Sequence, residues 1–166
     1  MPILPDILQL NLKVVFCGTA AGTQSAQAGA YYAGRGNKFW RILYETGLTP
    51  RQLTPQEFPT LPQYGIGLTD LAKHTFGSDL SLKQNDFDAA AFHERIVQAA
   101  PRAVAFNGKK AARVYFGCTD VSYGRQADLL GTTAVFVLPS TSGAANGAWN
   151  AAYWHELAAF VRALEH

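Results

Sequence analysis

The sequence predicts an α/β fold, a mostly parallel sheet covered on both faces by helices. Two observations carry this. Four short apolar runs, LKVVFCG (12–18), YGIGLTDL (64–71), RAVAFNG (102–108) and TAVFVLPS (133–140), each end in small or polar residues. Longer segments with helical spacing of apolar residues separate them. Strands alternating with helices call for right-handed crossovers and a sheet buried on both sides. In such sheets a ligand lies beyond the carboxyl ends of the strands.

Each element has its own signal. After the first run, residues 37–47 (NKFWRILYETG) place Phe39, Trp40, Leu43 and Tyr44 on one helical face. The Pro-rich connector 49–62 holds a helix start at Thr54-Pro55-Gln56-Glu57. Residues 88–100 place Phe92, Ile96 and Val97 on one helical face, with Asp88 as the N-cap, and 109–116 form a short third helix. The last helix, 150–164, carries Trp154, Leu157, Phe160, Val161 and Leu164 at i, i+3, i+4 spacing. No repeat or domain boundary interrupts the 166 residues, so a single domain is expected over 1–166, with 1–11 as an N-terminal extension.

Composition narrows the classes. Hydrophobic residues at 48% and charged residues at 16% describe a globular chain, not a disordered one. A net charge of +2 and a pI near 8.6 permit a polyanionic partner without demanding one. The start, MPILPDILQLNLK, lacks a basic region before its apolar residues, and no run approaches ~18 apolar residues. We therefore expect neither signal peptide nor membrane span, and a cytoplasmic location. Cys17 and Cys118 are expected to be buried reduced thiols.

No cofactor motif survives inspection. Gly18-x-x-x-Gly22 lacks the glycine spacing of the dinucleotide fingerprint, and no Gly-Lys-Ser/Thr follows it. His74, His93, His155 and His166 are scattered without ligand spacing, so neither metal nor cofactor is expected.

Four motifs in order then point to a family. The stretch VVFCGTAAGTQSAQAGAYYAGRGNKFWRILYETGLTPRQLTPQE, followed by YGIGLTDLAKHT, AFNGKKA and VLPSTSGAANG, resembles the mismatch-specific uracil-DNA glycosylase and thymine-DNA glycosylase branch of the uracil-DNA glycosylase superfamily. The likeness runs from Leu12 to about Trp149. It implies a three-layer α/β/α sandwich with a central, mostly parallel sheet. It also implies a monomer that excises uracil and related damaged bases from DNA without metal or cofactor.

The resemblance also assigns roles. Tyr32, with Tyr31 beside it, matches the aromatic that stacks on a flipped base, and Thr19 is placed nearest the base edge. Ser25, Ser142 and Lys109 are expected to grip the DNA backbone. Residues 142–147, including Ser142, Gly143, Ala144 and Asn146, match the wedge that fills the gap left in the duplex. Relatives carry a larger apolar plug and an arginine there. Small residues hold the gap open poorly, so demand for a particular mismatch should be relaxed. Asn107 is read as support for the loops at the strand ends.

The first loop departs from the pattern. Where much of the superfamily has a water-placing Asn or Asp, this chain has Ala20, and a methyl group cannot orient water. Asp70, at the end of the second strand, is the best replacement, since relatives often have lysine or asparagine there. Its alternative role is to cap the turn or pair with Lys73. Asp79, Asp86 and Asp88 precede a helix, and Asp120 and Asp128 lie in a loop with no link to the pocket. Two other classes stay open: a non-catalytic damaged-DNA binder on the same fold, and a small-molecule nucleotide-binding domain.

Overall fold

The structure, a computed structural model, describes residues 2–77 and 87–165. Asp79, Asp86 and His166 lie outside the described residues.

Strands β1 (Val14–Ala21), β2 (Ile66–Phe76), β3 (Ala103–Asn107), β4 (Gly124–Arg125) and β5 (Ala134–Leu138) form one sheet in the order β2-β1-β3-β5-β4. The β1–β2, β1–β3 and β3–β5 pairs are parallel. Among the five described strands, β4 on the far edge is the one that runs antiparallel. Helices are α1 (Thr23–Ala28), α2 (Phe39–Glu45), α3 (Ala89–Ala99), α4 (Lys109–Phe116) and α5 (Ala151–Ala163), with 3₁₀ segments Pro55–Tyr64 and Gly143–Ala148.

Side-chain alternation along each strand builds two cores. Val14 and Phe16 of β1 face α2, α5 and the first 3₁₀ segment, packing with Phe39, Leu43, Leu61, Trp154 and Leu157. Val15 and Cys17 face the other way, with Phe92 and Ile96 of α3 and Ala111 and Ala112 of α4. The three expected layers are present. Asp88 caps α3 by accepting the Ala91 N–H at 2.9 Å, and Asn150 caps α5 by accepting that of Ala152 at 3.0 Å. Thr54 N–H donates to Glu57 at 2.9 Å, as the helix-start signal requires, but three prolines, Pro55, Pro59 and Pro62, keep that segment 3₁₀.

Residues 1–11 do more than extend the chain. Ile7 bridges Leu68 antiparallel, exchanging N–H···O bonds of 2.9 and 3.0 Å along the outer side of β2. Ile3 N–H adds a bond to the Lys73 carbonyl at 2.7 Å. Gly67 permits this approach, since a Cβ there would stand 2.5 Å from the Ile7 carbonyl oxygen.

Several features differ from expectation: β1 and β2 run on to Ala21 and Phe76, so Gly18 and Asp70 lie within strands and not at their ends, and Tyr44 and Val97 are exposed. The stretch after β1 contains α1, β4 was not foreseen, and Cys118 is exposed, not buried. Cys118 follows Gly117, whose left-handed backbone ends α4 and turns the chain into a surface loop.

Candidate active site

The carboxyl ends of β1, β2, β3 and β5 open into one cavity of about 790 Å³. Its lining includes Gly18, Thr19, Ala20, Ser25, Tyr32, Asp70, Asn107, Lys109, Ser142, Gly143 and Ala144. All the residues singled out for the site converge there except Asn146. Asp120 and Asp128 are absent from its walls. Among the described residues no three His, Cys, Asp or Glu side chains gather as a metal site.

Asp70 reaches the cavity because β1 and β2 are adjacent and parallel, with Gly18 and Asp70 as register partners. Alternation turns Asp70 to the same sheet face as Leu68, toward Tyr32 and Phe39. Its carboxylate is nearly inaccessible, at 3% exposure, and accepts a hydrogen bond from the Gly18 N–H. A Cβ at Gly18 would lie 2.9 Å from Asp70 Oδ1 and 3.3 Å from Tyr32 Oη, so glycine is the residue that admits both groups. Burial pushes the Asp70 carboxyl up to about 6. Lys73 and Arg95 pull it down, Asp6 pushes it up, and the Gly18 N–H pulls it down.

The Lys73–Asp70 pair, the alternative role for Asp70, does not form. Lys73 Nζ instead sits 2.8 Å from Asp6 Oδ1 and donates to Tyr31 Oη at 3.2 Å. Arg95 Nε lies 3.1 Å from Asp6 Oδ2 without hydrogen-bond alignment, and its Nη2 donates to the Asp70 carbonyl at 3.1 Å. Thr69 Oγ1 donates to Asp6 Oδ1 at 2.7 Å. Asp6 therefore gathers two cations and a hydroxyl on the outer side of β2, directly behind Asp70. Sequence reasoning missed it, because an aspartate in an irregular Pro-containing segment gives no sign of contacts more than 60 residues away.

Tyr32 occupies the opposite wall. Its ring lies 4.1 Å from that of Phe39, centroid to centroid, and also faces the cavity. Its backbone is left-handed, with φ 52°, a conformation uncommon outside glycine. The turn is held on both sides: Trp40 Nε1 donates to the Tyr31 carbonyl at 3.1 Å, and Ala33 N–H donates to Ser25 Oγ at 3.0 Å. Ser25, expected to meet phosphate, is thus also a brace for Tyr32.

Loops from distant parts of the chain complete the rim. Asn107 donates to Thr141 Oγ1 at 3.0 Å and accepts the Thr141 N–H at 3.0 Å, tying β3 to the end of β5. Ser142 Oγ accepts the Ala144 N–H at 3.2 Å and starts the second 3₁₀ segment. Gly36 and Gly143 meet backbone to backbone, a Cβ on Gly143 falling 3.3 Å from Gly36 Cα. Lys38 reinforces this seam. Its Nζ donates to Asn146 Oδ1 and stands 5.2 Å from the centre of the Trp149 ring. Asn146 therefore faces Lys38 at the outer rim. On the other side, Lys109 Nζ lies 4.3 Å from the centre of the Tyr123 ring.

The arrangement offers a roomy cavity, one buried carboxylate with a raised pKa, an aromatic wall and a rim of glycine, serine and lysine. Comparison with known proteins agrees with this architecture. A protein from Methanosarcina acetivorans, studied by solution NMR as a candidate uracil DNA glycosylase, superposes with a TM-score of 0.63. It is 24% identical, and the match covers 98% of this chain and 97% of that one, a likeness of fold. The sequence profile of the uracil DNA glycosylase superfamily matches residues 5–163, nearly the whole chain. The chain belongs to the uracil DNA glycosylase superfamily.

Proposed function

We propose that this protein is a DNA glycosylase that flips uracil, or a related modified pyrimidine, out of DNA and hydrolyses its N-glycosidic bond. The observation that carries the reading is Asp70, a buried carboxylate facing a cavity large enough for a nucleotide, in a family of this chemistry. Extruding the base costs a few kcal/mol, least at a mismatch. Tyr32 then offers its ring as the surface on which the base rests.

Bond cleavage develops positive charge on the sugar and negative charge on the leaving base. An ionised Asp70 stabilises the first and accepts a proton from the attacking water. With its carboxyl at about 6, Asp70 is charged at neutral pH and yet basic enough to take that proton. Ala20 supplies neither function, so the role of the missing first-loop polar residue falls to the neighbouring strand. Thr19, Lys109, Ser142, Gly143 and Ala144 all line the cavity; in this reading Thr19 meets the base edge and the others meet the DNA backbone. The small wedge loop, with no bulky plug, fits an enzyme that demands little of the opposite base.

The test is single-turnover release of uracil from duplex and single-stranded oligonucleotides. Wild type should release the base, and Asp70→Ala should be slowed at least a hundredfold. Ala20 favours one competing reading, a damaged-DNA binder without activity. Tight binding with no base release, unchanged in Asp70→Ala, would establish that reading instead.

A further inference from the structure

Tyr32 carries a feature that base stacking does not use. Stacking needs only the ring, yet the hydroxyl is buried and has no hydrogen-bond partner among the described residues. A buried, unpaired hydroxyl is unfavourable and calls for an explanation. The Asn107 amide beside it interacts with the phenol but makes its well-formed hydrogen bonds to Thr141, through both its nitrogen and its oxygen. Burial, followed by the nearby Asp70 charge, pushes the Tyr32 phenol well above its ordinary pKa, so it remains an O–H donor at neutral pH.

The hydroxyl is also aimed. Tyr32 Oη and Asp70 Oδ1 crowd the same point above Gly18, at 3.3 and 2.9 Å from where a Cβ would stand. One oxygen is a donor, the other an acceptor, and the residue between them has no side chain. The left-handed backbone that directs Tyr32 here is strained for a non-glycine residue and braced from both flanks. Strain retained with such support marks a position whose geometry matters.

Resting on the glycosylase reading, we propose that Tyr32 Oη and Asp70 together hold the attacking water over Gly18. The Tyr32 O–H donates a hydrogen bond to the water oxygen, and the water donates one of its hydrogens to Asp70. In the reaction the water oxygen bonds to the sugar C1′. The C1′–N bond breaks with its electron pair leaving on the base, and the water proton passes to Asp70. Tyr32 keeps its own proton throughout and fixes the direction of attack. The water-orienting contact that Ala20 cannot make is thereby supplied by the Tyr32 hydroxyl.

Tyr32→Phe removes the hydroxyl and keeps the ring. Single-turnover uracil release should fall ten- to a hundredfold, with affinity for uracil-containing duplex within about twofold of wild type. Thermal stability should be unchanged or higher, because an unpaired buried hydroxyl is lost. Tyr32→Leu, which also removes the stacking surface, should lose both rate and affinity. A Tyr32→Phe enzyme with the full wild-type rate overturns the proposal and leaves the glycosylase reading intact. Absence of base release by wild type overturns both.

Discussion

The two sides of β2 hold charge in opposite ways. On the outer side, Asp6 meets Lys73 at 2.8 Å, Arg95 at 3.1 Å and the Thr69 hydroxyl at 2.7 Å. On the inner side, Asp70 accepts the Gly18 N–H and forms no ion pair among the described residues, so Lys73 and Arg95 offset its burial only from a distance. A cluster of matched charges is what a fold uses to fix a segment. A buried carboxylate left without a cation is unfavourable for folding, and such groups concentrate where chemistry is done. The two carboxylates are within one network, since Asp6 and its cations all act on the Asp70 charge.

Breaking the inner side should have the largest effect. Asp70→Asn should lower single-turnover base release by about two to four orders of magnitude, the usual range for a lost general base. The same variant should fold more stably at neutral pH. A carboxyl raised from 3.8 to about 6 weakens the folded state by about 3 kcal/mol once both states are ionised. The sign is opposite to that of a paired aspartate: the penalty is absent below pH 3.8, grows through pH 6 and is constant above it. Melting temperatures at pH 7.5 and pH 4.5 check this, and the gain from Asp70→Asn should shrink at the lower pH.

Breaking the outer side should reverse the pattern. Asp6→Asn leaves Lys73 and Arg95 without their shared carboxylate and should destabilise the protein by about 2 kcal/mol, less than for a fully buried pair. Denaturant unfolding would measure it. Activity should persist, with a shifted pH profile. Wild-type base release should rise with pH through about 6, as Asp70 ionises. In Asp6→Asn that limb should move to lower pH, because a negative neighbour has gone and two cations are released to act on Asp70. An unmoved limb would uncouple the two sides of the strand. The smallest effect belongs to a pair remote from both. Glu165→Gln, which breaks the exposed Lys13–Glu165 contact of 2.7 Å, should change stability by no more than about 1 kcal/mol and leave the pH profile untouched.

The inner side was legible in the sequence and the outer side was not, for a physical reason. Asp70 and Gly18 fall late in two apolar runs, and parallel pairing sets them side by side, although β1 and β2 run on past them to Ala21 and Phe76. Lys109 and Ser142 follow from the same rule, as each lies just beyond a strand, whereas Tyr32, beyond α1, follows from the family resemblance. Asp6 obeys no period. Its partners are set by how an irregular segment drapes over β2, and such contacts leave no local pattern. Two-residue β4 is too short to alternate, and six-residue α1 is built of small and polar residues that read as loop. Tyr32 was visible as a ring, but its left-handed backbone and stranded hydroxyl emerge only when Gly18, Asn107 and Ser25 are in place.

The first eleven residues also decide what the molecule does in company. With them in place, the Ile7–Leu68 bridge occupies backbone groups that β2 would otherwise present to other molecules. Stripped of this cover, an eleven-residue strand with buried Ile66, Leu68 and Leu71 would become an open template for pairing with other chains. Trimming this segment in a recombinant version would therefore trade a well-behaved protein for one prone to self-association.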